Sequence, residues 1–207
     1  MTRRWSDAAD RGQAFPLYIT VVAGALFLAL AYFAVGQAAA ARNDAQGAAD
    51  AAALAAANDA RQQLGLALLD NLSTPELLPD VLDGLLLNQA GACAEAQRFA
   101  SMNGADLDGC GRSAGLGGGF TVDVTSRTPV GDTIIPGTGG QYATASATAA
   151  LEPRCRLRNA AGDGEEREEG EREIVELTCQ GEDVVVDPER PKPLPELDEL
   201  FTVRLVD

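Results

Sequence analysis

The sequence contains no histidine. That absence removes the commonest general base, the Ser/His and Cys/His nucleophile pairs, and most catalytic zinc sites. Positive charge is scarce as well: 16 Lys and Arg stand against 31 Asp and Glu, a formal net charge of -15 at pH 7. Nucleic-acid binding rests on a clustered Lys/Arg surface, so no nucleic-acid partner is expected. None of the four cysteines forms a CxxC pair, which removes the usual ligand spacing of a structural zinc site. The run GLGGG at 115–119 has no evident strand before it and no Lys-Ser/Thr after it, so it is no phosphate loop. Beyond its first 36 residues the chain is rich in Gly, Pro and charge. The core should be small, and small cores lean on disulfides or partners. The expectation is a non-enzyme with no catalytic residue, cofactor or metal.

What is present begins with AFPLYITVVAGALFLALAYFAVG, the 23 uncharged residues from Ala14 to Gly36. As a helix this run reaches about 34 Å, enough for a hydrocarbon core of ~30 Å. Pro16 falls in the first turn, where its missing N–H costs nothing. Tyr18, Tyr32 and Phe33 sit near the two ends, as interfacial aromatics do. Arg3, Arg4 and Arg11 precede the run and only Arg42 closely follows it. That bias places the N-terminus in the cytoplasm and the rest of the chain outside. A cleaved secretory signal is the bland alternative, with Ala38–Ala40 as a small-residue cleavage site, but the run exceeds a signal core of roughly 7–15 residues.

The helix continues past the span as an alanine-rich rod. Ala45, Ala48, Ala49, Ala52, Ala53, Ala56 and Ala57 recur at i, i+3, i+4 spacing on one face. Alanine is the best helix former, so the helix should run unbroken to about Leu69, with Gly47 its weak point. Alanine is abundant everywhere in this chain, and composition alone is the plain explanation. The sharper one is a packing face, Ala45, Ala49, Ala52, Ala53 and Ala56, narrow enough for the helix of another subunit to approach closely.

The order RGQAFPLYI, apolar span, GQAAAARNDAQGAADAAALAAA resembles the N-terminal region of TadE/TadG-like pilus-assembly proteins of the Flp (tight adherence) system. The resemblance is most specific from Arg11 to Ala57 and continues loosely through CAEAQRFASMNGADLDGC, FTVDVTSRTPVGDTIIPG and YATASATAALEPRC. It implies a minor pilin or assembly factor, anchored in the cell membrane and working outside it beside other pilin-like proteins. Pilin-like precursors are cut after a glycine, with glutamate fifth in the mature chain. Gly12 offers the glycine, but the fifth residue after it is Leu17.

Beyond the rod, TPELLPDVLDGLLLN reads as a short helix begun by Ser73 or Thr74 and Pro75, with Leu77, Leu78, Val81, Leu82, Leu85 and Leu86 as its stripe. A further helix is expected from about Ala92 to Ser101, capped near Asn103–Gly104. The period then changes to two. FTVDVTSRT sets Phe120, Val122 and Val124 against Thr121, Asp123 and Thr125. YATASATAALE, REIVELTC, DVVVD and LFTVRLVD read as further strands, with PVGDTIIPGTGG as a hairpin-like connection. The fold class expected is α+β: a transmembrane helix continuing as a long helix, then short helices and a small antiparallel sheet. The expected divisions are a cytoplasmic segment 1–13, a span 14–36, a helical stalk 37–70 and an extracytoplasmic domain 71–207.

Within that domain, six glutamates and Asp163 crowd GDGEEREEGEREI, read as a solvated acidic loop at 162–173. A Pro-rich strap occupies 188–195. NGADLDGCG resembles a fragment of a calcium loop but lacks a first ligand and a bidentate Glu, so an Asx/Gly turn is expected. Cys93, Cys110, Cys155 and Cys179 all lie beyond the span. Outside the cytoplasm an even set reads as two disulfides, with three connectivities open; sequential pairing would close two short loops. The favoured reading is a membrane-anchored pilin-like assembly protein. A tethered extracytoplasmic binding module of the envelope is the alternative.

Overall fold

The computed structural model describes residues 14–72, 74, 77–113, 118–131, 139–158, 175–187 and 196–206. The acidic loop, the Pro-rich strap, the segment 1–13 with its arginines, Gly12, Ser73 and Pro75 lie outside the described residues.

Sequence and structure agree on the first element. Helix α1 runs without a break from Ala14 to Asp70, 57 residues, or about 86 Å at 1.5 Å per residue. Gly47 does not interrupt it; one glycine costs about 1 kcal/mol against alanine, which the surrounding alanines offset. Within the apolar half, the Thr20 hydroxyl donates to the carbonyls of Leu17 and Pro16 at 2.8 and 3.0 Å. That hydroxyl is thereby satisfied inside the helix, as a lipid environment demands.

Helix α2 spans only Leu78–Leu82. The longer helix expected from TPELLPDVLDGLLLN is cut off at its C-terminal side, where Gly84 takes φ 71, a conformation that glycine adopts without cost. Leu78, Val81 and Leu82 are buried, whereas Leu77, Leu85 and Leu86 of the expected stripe are exposed. Helix α3, Gln89–Met102, starts where the Asn88 side chain accepts from the amides of Ala90 and Gly91. Gln63 of α1 grips that start through both backbone groups of Asn88. Asn103 caps the helix and Gly104, φ 73, turns the chain back.

Strands β1 (Ala105–Arg112), β2 (Phe120–Pro129), β3 (Tyr142–Pro153) and β7 (Phe201–Val206) form an antiparallel sheet in the order β1-β2-β3-β7. Strands β4 (Cys155–Leu157), β5 (Val175–Cys179) and β6 (Glu182–Val186) make a second antiparallel sheet. A short helix α4, Leu197–Leu200, leads into β7 through a capping box between Glu196 and Glu199. In β2, Phe120, Val122 and Val124 point into the core, while the Thr121 and Thr148 hydroxyls meet at 2.9 Å across the outer face. The α+β class read from the alternating periods is the observed one.

Strand β1 is where sequence and structure part. ADLDGCGR is not a turn but an edge strand paired along β2, with a bulge between Leu107 and Gly109. Its composition hides it: aspartates and glycines are depleted in strands generally, yet at an edge they face water or a close neighbour. A Cβ on Gly109 would lie 2.9 Å from Asp123 Oδ2, closer than side chains pack.

Candidate functional site

The described residues form no cleft with convergent catalytic groups, and the distinctive feature of the chain is α1 itself. From Phe15 to Val35 the large apolar side chains point outward on all sides; Tyr32 is 83% and Phe15 70% exposed. A helix apolar all round is suited to lipid or to cover by other apolar surface. This helix is long and apolar enough to cross a membrane.

From Ala45 onward the same helix is the centre of the domain. Ala45, Ala48, Ala49, Ala52, Ala53, Ala56 and Ala57 are at most 1% exposed. They are covered by the chain's own α3, β2 and β3. The alanine face therefore packs, but the expected occupant, a helix of another subunit, is not what lies on it. Ala147 and Ala149 of β3 are buried in the same cluster. Small residues on both sides let helix and sheet approach closely. Further along, the same cluster continues with larger side chains, Leu64, Leu68, Leu78, Val81, Leu200 and Phe201. A boundary at residue 70 would thus part the sheet from its own core helix: residues from 45 onward are not a free stalk.

The sequence pattern gives no sign of one close approach. A Cβ on Gly65 would run into the Leu197 side chain, so the absence of a side chain there lets α4 seat on α1. Gly118 has a similar role: its Cβ would fall 2.9 Å from Leu151 and 3.0 Å from Leu87. The described part of the GLGGG run therefore serves packing.

Two disulfides brace the domain. Cys93 on α3 joins Cys110 on β1, with Cα atoms 5.8 Å apart, across the tight turn at Gly104. Cys155 and Cys179 stand directly opposite in the β4–β5 register and are joined, Cα atoms 4.0 Å apart. The second bond fixes a strand only three residues long, which ladder hydrogen bonds alone hold weakly.

The carboxylates of the calcium-like fragment are engaged within the domain. Asp106 pairs with Arg127 at 2.7 Å, and Asp108 accepts from the Thr125 hydroxyl at 2.6 Å. Arg127 also donates to the Ser101 hydroxyl, tying α3 to the sheet. Among the described residues no group of three or more His, Cys, Asp or Glu is arranged to hold a metal ion.

Comparison with curated proteins and with solved structures returns no match. One family model does match, over residues 12–59, which covers the apolar span and the alanine face but none of the strands. The looser likeness expected through the strands is not part of that match. In its apolar and alanine-rich region this chain is similar to the family described as putative Flp pilus-assembly TadE/G-like.

Proposed function

We propose that this protein is a single-pass, membrane-anchored component of a Flp/Tad-type pilus-assembly system, with a structural or assembly role and no catalysis of its own. The observation that carries the reading is α1: one continuous helix, apolar and bare over its first half, matched to the pilus-assembly family over 12–59. Arg3, Arg4 and Arg11 before the span, against Arg42 after it, support a cytoplasmic N-terminus and an extracytoplasmic domain. Four cysteines, all beyond the span and joined in two bonds, support the same orientation, because disulfides persist in oxidising compartments. Its partners are the lipid bilayer and other pilin-like assembly proteins, not nucleic acid.

The experiment is deletion and complementation in the native cell. Loss of surface pili on deletion, restored by the full chain but not by the domain without its span, is the expected result. Normal piliation after deletion counts against it. A tethered envelope-binding module is the second reading. It draws on the alanine face being closed by the chain's own sheet, which leaves a self-sufficient domain on an anchor. In that case deletion leaves pili intact.

A further inference from the structure

A groove of about 530 Å³ lies between α1 and the end of the β2–β3 pair, lined among others by Val35, Ala39, Arg42, Val130, Gln141 and Tyr142. Its position on the helix is what matters. Val35 belongs to the uncharged span, and Arg42 is the first charge after it. Gly131, at φ 115, brings its backbone close to α1: a Cβ there would sit 3.3 Å from the Gln37 side chain. Beyond this point β3 climbs away from the span, and Gln46 of α1 donates to the Ser146 carbonyl at 3.3 Å.

If the hydrocarbon core ends near Gly36, the wall from Val35 to Asn43 covers about 12 Å along the helix. A headgroup layer is about 5–7 Å deep on each side of a bilayer. The part of the groove beside Val35 and Gln37, where Gly131 approaches, therefore falls within that layer; Arg42, about 9 Å past Gly36, stands just above it with a side chain long enough to reach back. The side chains suit the place. Tyr142 is half exposed with an apolar ring and a polar tip, the character of interfacial aromatics. Arg42 is the one charged side chain among the described residues lining the groove, and a cation there suits nearby lipid phosphates.

We propose that the groove face formed by Val130, Gln141 and Tyr142 is a second membrane contact at the phospholipid headgroups, with Tyr142 as its aromatic anchor and Arg42 reaching down toward the phosphates. With the span, this makes two attachments and fixes the tilt of the domain on the bilayer. The inference rests on α1 being the membrane anchor.

The test uses the full chain in lipid nanodiscs at one protein per disc, with an environment-sensitive fluorophore on an unnatural side chain placed singly at Gln141, Leu28 or Leu85, so that Tyr142 stays in place. Leu28 reports the span, and Leu85 lies beyond α2, near the opposite end of α1. Nitroxides on the lipid headgroups should quench the probe at Gln141 at least threefold more than at Leu85. Nitroxides deep in the acyl chains should quench Leu28. Quenching at Leu28 with none at Gln141 overturns the second contact and leaves the anchor standing. No quenching at either site overturns the anchor itself. Protection of Gln141 that appears only when several proteins share a disc means another copy covers the groove, and also overturns the proposal. As a further check, Tyr142→Asp should at least halve headgroup quenching of a probe at Gln141 without changing the melting temperature. Unchanged quenching there speaks against the aromatic anchor.

Discussion

The two halves of α1 obey opposite rules. Before Gly36, the bulky apolar residues (Phe15, Leu26, Leu28, Tyr32) are bare; after Ala45, the small alanines are sealed from solvent. In water the hydrophobic effect ranks burial by size, so a helix with its largest side chains outside is inverted. The inversion teaches that burial must be read against the local solvent. One half is matched to lipid, the other to a sheet, and no break in the helix marks the change.

The largest effect should come from reversing the solvent preference of the first half. Leu26→Asp with Leu28→Asp places two carboxylates mid-span, each costing about 2.5–3.5 kcal/mol on insertion scales. The expected outcome is loss of the chain from the carbonate-washed membrane fraction. Retention at wild-type level would mean that the bare half is covered by protein, and the contrast between the halves would collapse.

Next is the bracing of the second half. Cys155→Ser with Cys179→Ser removes a bond worth about 3 kcal/mol through the unfolded chain's entropy. For a domain of this size the melting temperature should fall by about 10 °C. Cys93→Ser with Cys110→Ser should act similarly, and non-reducing peptide mapping of the wild type should show both pairs.

A smaller effect is expected on the alanine face. Ala53 is fully buried, and Ala53→Leu overpacks the helix against its sheet at a cost of about 1–3 kcal/mol. Thermal melting of the domain should report that cost, while membrane insertion stays normal. An Ala53→Leu protein that melts like wild type, yet loses cross-linking to pilin-like proteins that the wild type makes, would show that the face is available to another helix after all. The smallest effect is at Gly65. Gly65→Ala gains about 1 kcal/mol in helix propensity but meets the Leu197 side chain, so the net change should be slight. Adding Leu197→Ala should make the alanine at 65 stabilising relative to glycine in the same background, measured by urea titration.

Much of this contrast was legible in the sequence. The uncharged run is legible by its length and uniform apolarity, the i, i+3, i+4 alanines and the alternation at Phe120–Val124 by their periods, and each formed the helix or strand expected. The rest was hidden for identifiable reasons. Periodicity shows that Ala49 and Ala53 face something, but not whether it is a neighbour's helix or the chain's own β3, since both reward small residues. Strand β1 was masked by Asp106, Asp108 and Gly109, whose turn chemistry is overridden by pairing with β2. The pattern predicts a longer α2 than forms, because the leucines at 85 and 86 keep the helical spacing past Gly84, where the backbone does not. The seat of Leu197 on Gly65 joins residues far apart in sequence, and no local pattern encodes it.

Phe201, wholly buried in the cluster that includes Leu64 and Leu68, sets the order in which this molecule can be made. The two sides of that contact lie roughly 140 residues apart, and such distant pairings are slow because a long loop must close before they are rewarded. The alanine helix is synthesised well before β7, so its face stays unsealed until that strand arrives. Cys93 and Cys110, only 17 positions apart, can be oxidised long before that moment. Folding of the domain is therefore staged in time: an early covalent clasp within α3 and β1, and closure of the core only once β7 has been made.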